Sequence, residues 1–202
     1  MSGLAGTTVR SVAVVPSSLA LLPELTSPDD PLRAAREHAL AAAAWLWRRH
    51  PDDVAVLAAP QRPDNLARGV AESPGLRIGR ALLSAGGAAT TAPALQPGEA
   101  PSAAGLLVVA NGSATRSVKA PGHLDDRAFA FDDALAAALR GGRPERLTAL
   151  DPDLAEQLWC FDAPAWCHLG QLAPAPDGPV CMDYDDDPFG VRYWVTRWTC
   201  AS

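Results

Sequence analysis

Three short apolar runs constrain this chain more than any other feature: Val9–Val15, Val54–Leu57 and Gly105–Ala110. Each is rich in valine, leucine and alanine, and each is too short to make a buried helix, so each reads as a buried strand. Helical patterns lie between and after them. Asp30 can cap a helix whose first position is Pro31, and Leu32, Ala35, Ala39, Ala43 and Leu46 give it one apolar face. That helix runs to about Arg49, where Arg48, Arg49 and His50 complement its dipole. Strands alternating with helices predict an α/β domain built on a central sheet.

The remaining elements follow from the same periodicities. Asp125–Arg140 reads as a helix with Phe129, Leu135, Ala136 and Leu139 toward the core, stopped by Gly141-Gly142. Asp151-Pro152 repeats the cap-and-proline signal and starts a helix to about Trp159, and Ala163–Leu172 can form another. Val180–Met182 is a short strand candidate. Val191–Thr199 is the last strand, with Val191, Tyr193 and Val195 on its more apolar face. Pro16–Pro28 reads as a loop. Pro60–Ser102 reads as irregular, with one short helix or strand at Leu76–Leu83.

At 202 residues the chain fits one domain, spanning residues 9–202 after a loose terminus at residues 1–8. Apolar residues make up 48% and aromatics only 6%, so the core is expected to rely on small side chains and close backbone approach. The formal net charge of −6 disfavours nucleic-acid binding, which needs a basic face. No run has the length of a membrane span. Ser11–Leu22 has the outline of a signal peptide, but Pro16, Ser17 and Ser18 interrupt it, so a first strand explains it better and a cytoplasmic protein is expected. Cys160, Cys167, Cys181 and Cys200 contain no CxxC pair, and with His168 they match no zinc template. They are expected to be small buried hydrophobes.

Chemistry concentrates in the loop from Asn111 to Gly122, just after the third strand. Open α/β sheets place their ligands at such strand ends. The GxxxxGK[ST] spacing of a phosphate-binding loop is absent. Arg116 and Lys119 suit either an anionic ligand or protein carboxylates, for which Asp183, Asp185, Asp186 and Asp187 are a nearby supply. That acidic run lacks EF-hand spacing and reads as a solvated turn. His123 is the histidine nearest the loop and a candidate for proton transfer; His38 and His50 read as surface residues. Ser17 and Ser113 are nucleophiles only with an adjacent base, and no GxSxG elbow frames either.

Three segments together resemble a known family: Val12–Glu24, Leu106–Ala130 and Tyr184–Val191, the last closing on Asp187-Pro188-Phe189-Gly190-Val191. They are similar to the short actinobacterial proteins described as class III extradiol dioxygenase subunit-B-like, of the LigB/Memo superfamily. The resemblance implies a single α/β domain with a mixed central sheet and helices on both faces. In ring-cleaving members, histidines and a carboxylate hold Fe(II), and another histidine acts as acid and base.

This chain departs from that pattern at each expected histidine. Pro16-Ser17-Ser18-Leu19 stands where the family has Pro-His-Pro-Pro, and Ala58-Ala59-Pro60-Gln61 stands at the second ligand. Ala114 stands at the acid/base position, and Tyr184 falls near a further ligand position. The resemblance therefore implies a LigB-like scaffold without the usual iron centre, acting as a binding or regulatory protein or a divergent enzyme. The alternative is an extradiol-type dioxygenase that holds Fe(II) or another divalent metal through altered ligands such as Asp185 or His123, or through a partner subunit. The expected cleft comprises Ser17, Asn111, Ser113, Arg116, Lys119, His123, Tyr184 and Asp185. The first reading expects a small-molecule ligand and no cofactor, and leaves a homo-oligomer open.

Overall fold

In a computed structural model, which describes residues 9–25, 30–88, 91–172 and 175–200, strand β1 is Ser11–Val15 and helix α1 is Arg33–Arg49. Strand β2 (Val54–Ala58), helices α2 (Pro63–Ala67) and α3 (Pro74–Ala85), and strands β3 (Ala94–Leu95) and β4 (Gly105–Val109) follow. Then come α4 (Arg127–Arg140), α5 (Pro152–Gln157), α6 (Ala163–Leu172), β5 (Cys181–Asp186) and β6 (Tyr193–Thr199). The loose terminus expected at residues 1–8 lies outside the described residues, as does part of the Pro16–Pro28 loop.

The six strands form one mixed sheet in the order β3-β2-β4-β1-β6-β5. The first four are parallel; β6 runs antiparallel to β1, and β5 antiparallel to β6. Side chains alternate across the sheet. Val12, Val14, Leu106 and Val108 meet α4 and α6, whereas Ala13, Val15, Leu107 and Val109 meet α1 and α3. The helices thus cover both faces, which is why these strands are continuous apolar runs. The same cover buries both sides of β6, so Trp194 and Thr196 lie in the core alongside Tyr193 and Val195.

Several sequence expectations need correction. Pro60–Ser102 is more regular than expected: α2 lies in it, and the short element expected at Leu76–Leu83 is part of α3, which begins on a Ser73 cap, whose hydroxyl accepts from Leu76 N at 3.3 Å, with Pro74 next. Gly75 and Gly79 lower its helix propensity, but they permit close seating on the sheet. A Cβ at Gly79 would fall 2.5 Å from Val56 Cγ1, and one at Gly75 would fall 2.8 Å from Ala58 Cβ.

Phe129 does not face the core; it is 41% exposed, and the Arg116 guanidinium lies 4.5 Å from its ring centroid. Ala128, Phe131 and Leu135 carry the buried face of α4 instead. The acidic run is strand in part rather than wholly a solvated turn: Tyr184, Asp185 and Asp186 pair with β6 past a register shift at Asp183, the Asp183 and Asp185 side chains meet arginines, and the turn follows at Asp187–Gly190. Cysteines also divide: Cys160 and Cys200 are buried, whereas Cys181 is exposed.

Among the described residues no helix is long and apolar enough to cross a membrane.

Candidate functional site

The parallel register brings Val15, Val109 and Ala58 to one level, so the residues after β1, β4 and β2 emerge together. Strands β1 and β4 are neighbours, yet the helices that follow them, α1 and α4, cover opposite faces. Chain segments leaving adjacent strands in opposite directions open a crevice at the strand ends. A cavity of about 320 Å³ occupies that crevice.

Ser17 and Asn111 form its base. Ser17 N donates to Asn111 Oδ1 at 2.8 Å, and Asn111 Nδ2 donates to Ser17 O at 3.0 Å, a reciprocal clasp between the ends of β1 and β4. Asn111 N donates to Asp162 Oδ2 at 2.9 Å, and the Trp166 indole N–H donates to Asn111 O at 2.8 Å. Every polar atom of Asn111 is therefore engaged in holding the cavity together.

Asp162 is the site's unforeseen member. It immediately precedes α6, is half-buried as a residue and lines the cavity. Burial pushes its pKa up to about 7, against hydrogen bonds from Asn111 N and the Ser17 side chain that stabilise the anion. A carboxyl poised near neutrality in a cleft is equipped to exchange protons or to bind a cation. The sequence offers one local signal, an aspartate at the start of the helical pattern Ala163–Leu172. Nothing local places it beside Asn111, which is 51 residues away in the chain.

The raised pKa has a stability consequence. Between the unfolded value of about 3.9 and the folded value of about 7, the folded state binds more protons than the unfolded state. Stability conferred by this group is therefore full below about pH 4 and is lost as pH rises to about 7. We predict that Asp162→Asn gains stability relative to the wild type progressively across that window. Urea denaturation at pH 4.5, 5.5, 6.5 and 7.5 checks this, and a stability difference independent of pH would contradict it.

Other expected cleft residues lie elsewhere. Ser113 is buried behind the cavity: its N–H donates to Asp132 Oδ1 at 2.8 Å and its hydroxyl to Asp132 Oδ2 at 2.6 Å. Arg116 joins the same group, 3.1 Å from Asp132 and 2.5 Å from Asp187. It is thus committed to protein carboxylates. Asp185 pairs with Arg140 and Arg192. Tyr184 packs on the α1 side of the sheet, its ring centroid 6.2 Å from that of His38.

Lys119 and His123 are exposed and do not line the cavity, although Pro121 between them does. His50 is half-buried rather than on the surface, its Nε2 2.9 Å from Ser11 Oγ. The Asn111–Gly122 loop is thus chiefly a scaffold, with only Asn111, Gly112, Ala114 and Pro121 of it lining the cavity.

The mouth of the cavity is aromatic. Trp159 and Phe161 lie 5.7 Å apart between ring centroids, and Arg62 lies 4.1 Å over the Phe161 ring. Trp159 adopts φ +56°, a left-handed conformation unusual for an aromatic residue. Gly122 accommodates its indole, since a Cβ there would fall 2.9 Å from Trp159 Cγ.

Iron of the extradiol kind needs imidazoles and a carboxylate with open positions. Among the described residues the cavity lining carries one carboxyl, Asp162, and no imidazole or thiol. No group of three or more His, Cys, Asp or Glu side chains among them is arranged to hold a metal ion. This donor set does not fit a histidine-ligated iron. Compared with known proteins, the sequence matches no family model and no curated protein.

Proposed function

We propose that this chain is a LigB-like domain protein in which the superfamily's reactive cleft has become a small-molecule site without the histidine-ligated iron. It serves as a binding or regulatory protein or as a divergent enzyme. One observation carries the reading. Ser17, residues Ala59, Pro60 and Gln61 of the Ala58–Gln61 segment, and Ala114, where the resemblance expects ligand or acid/base histidines, line a single cavity at the strand ends. Tyr184, which falls near a further expected ligand position, is not among its lining residues. A volume of about 320 Å³ is at the small end of ligand sites, which commonly span about 300–1,000 Å³.

The test combines metal analysis with ligand stabilisation. Untagged protein reconstituted anaerobically with Fe(II) is expected to retain no stoichiometric iron and to cleave no catechol. At least one compound in a broad metabolite panel is expected to raise the melting temperature. Ala59→Trp, which places an indole in the cavity from a half-buried position, is expected to abolish that rise while preserving the fold. Stoichiometric iron with ring cleavage would establish the dioxygenase alternative. A melting temperature unmoved by the whole panel would point to a structural protein.

A further inference from the structure

The charge inside the cavity narrows the ligand class. Among the described residues that line it, two side chains carry charge, and they are opposite: Asp162 and Arg62. Asp162 is fixed against the strand ends by Asn111 and Ser17. Arg62 stands at the rim, at the start of α2, with its guanidinium over Phe161, the residue immediately before Asp162. The acid and the base therefore flank one aromatic residue, as a compact ligand with two charged ends would require.

Neither charge is consumed by a strong ion pair. Arg62 has Glu156 at 3.6 Å, but the two side chains are 48% and 66% exposed, and such a pair contributes little and exchanges readily. The groups bonded to Asp162 are a backbone N–H and a hydroxyl, both neutral. A dianion would meet Asp162 unfavourably and a dication would meet Arg62 unfavourably, whereas a zwitterion satisfies both. Pro60, Pro74, Trp159, Val191 and Tyr193 supply apolar surface for the remainder of such a molecule.

Resting on the reading of this cleft as a small-molecule site, we propose that it binds a free amino acid, with the ammonium on Asp162 and the carboxylate on Arg62. Titration calorimetry of the full-length chain at pH 8 with the twenty protein L-amino acids tests this. At least one is expected to bind with Kd below about 1 mM. Its decarboxylated amine and its deaminated acid are each expected to bind about tenfold more weakly or worse.

Arg62→Gln is expected to weaken the amino acid by about tenfold and leave the amine unchanged. Asp162→Asn is expected to weaken the amino acid similarly and leave the deaminated acid unchanged. Arg62 is half exposed, so its variant is expected to fold and tests the carboxylate contact independently of Asp162.

The proposal is overturned if no amino acid binds, if the analogues bind as tightly as the parent, or if Arg62→Gln has no effect. A metabolite of another class that binds the wild type and is lost in Ala59→Trp would overturn it while leaving the cleft reading intact.

Discussion

Asp132→Ala is expected to destabilise the fold by about 3–5 kcal/mol, the cost of breaking a buried pair by removing one of its members. Asp132 is 1% exposed and holds three donors: Ser113 N at 2.8 Å, Ser113 Oγ at 2.6 Å and Arg116 Nη1 at 3.1 Å. Burial pushes its carboxyl up, and the hydrogen bonds from Ser113 and the Arg116 charge oppose that. Without the carboxylate, the Ser113 groups lose their acceptor and the largely buried Arg116 keeps only Asp187 and the Phe129 ring.

Gly112 sits so close to this group that a Cβ there would fall 2.5 Å from Asp132 Oδ1. Chemical denaturation measures the loss. Arg127→Ala, which breaks the exposed pair with Asp125, is the control and is expected to change stability by about 1 kcal/mol or less. Equal effects from the two variants would show that Asp132 is not the anchor of the loop.

Trp166→Ala is the second large effect, with an expected loss of about 3–5 kcal/mol. Trp166 is fully buried, and its ring meets Trp194 edge-on with centroids 5.8 Å apart. Alanine leaves a cavity between α6 and the sheet. Trp166→Phe separates the roles, because it retains an aromatic ring but removes the indole N–H that holds Asn111 O at 2.8 Å.

Phenylalanine is expected to cost less stability than alanine, with ligand stabilisation reduced as the Ser17–Asn111 clasp loosens. The measurements are urea denaturation followed by circular dichroism, and the melting-temperature rise with the ligand found for the wild type. Unchanged ligand stabilisation in a folded Trp166→Phe variant would show that Asn111 needs no support from α6.

Much of this architecture was legible residue by residue. Val9–Val15, Val54–Leu57 and Gly105–Ala110 announced buried strands because they are short apolar runs bounded by turn signals. The cap at Asp151-Pro152 was legible too: its carboxylate accepts from Asp153 N and Leu154 N. Helix α3 was harder to read, since Gly75 and Gly79 weaken the helical signal for a reason found only in the neighbouring strand. Phe129 reads as a core side chain because its ring is apolar, although it lies about 100° around α4 from the buried Ala128.

At the site, Asn111 could be nominated from its position after an apolar run, and Ser17 from the resemblance. Arg116 and Asp185 could not be excluded until their ion pairs with Asp132, Asp187, Arg140 and Arg192 were seen.

Periodicity and turn chemistry are local, so the amino-acid sequence alone determined an α/β sheet with crossing helices and singled out the polar loop after β4. The tertiary structure alone decided which strands are neighbours, and therefore where the crevice opens. It also decided that Asp162 joins Ser17 and Asn111 and has its carboxyl pushed up to about 7. The proton affinity of that group depends on desolvation and on partners brought in from distant parts of the chain, quantities that no local pattern encodes.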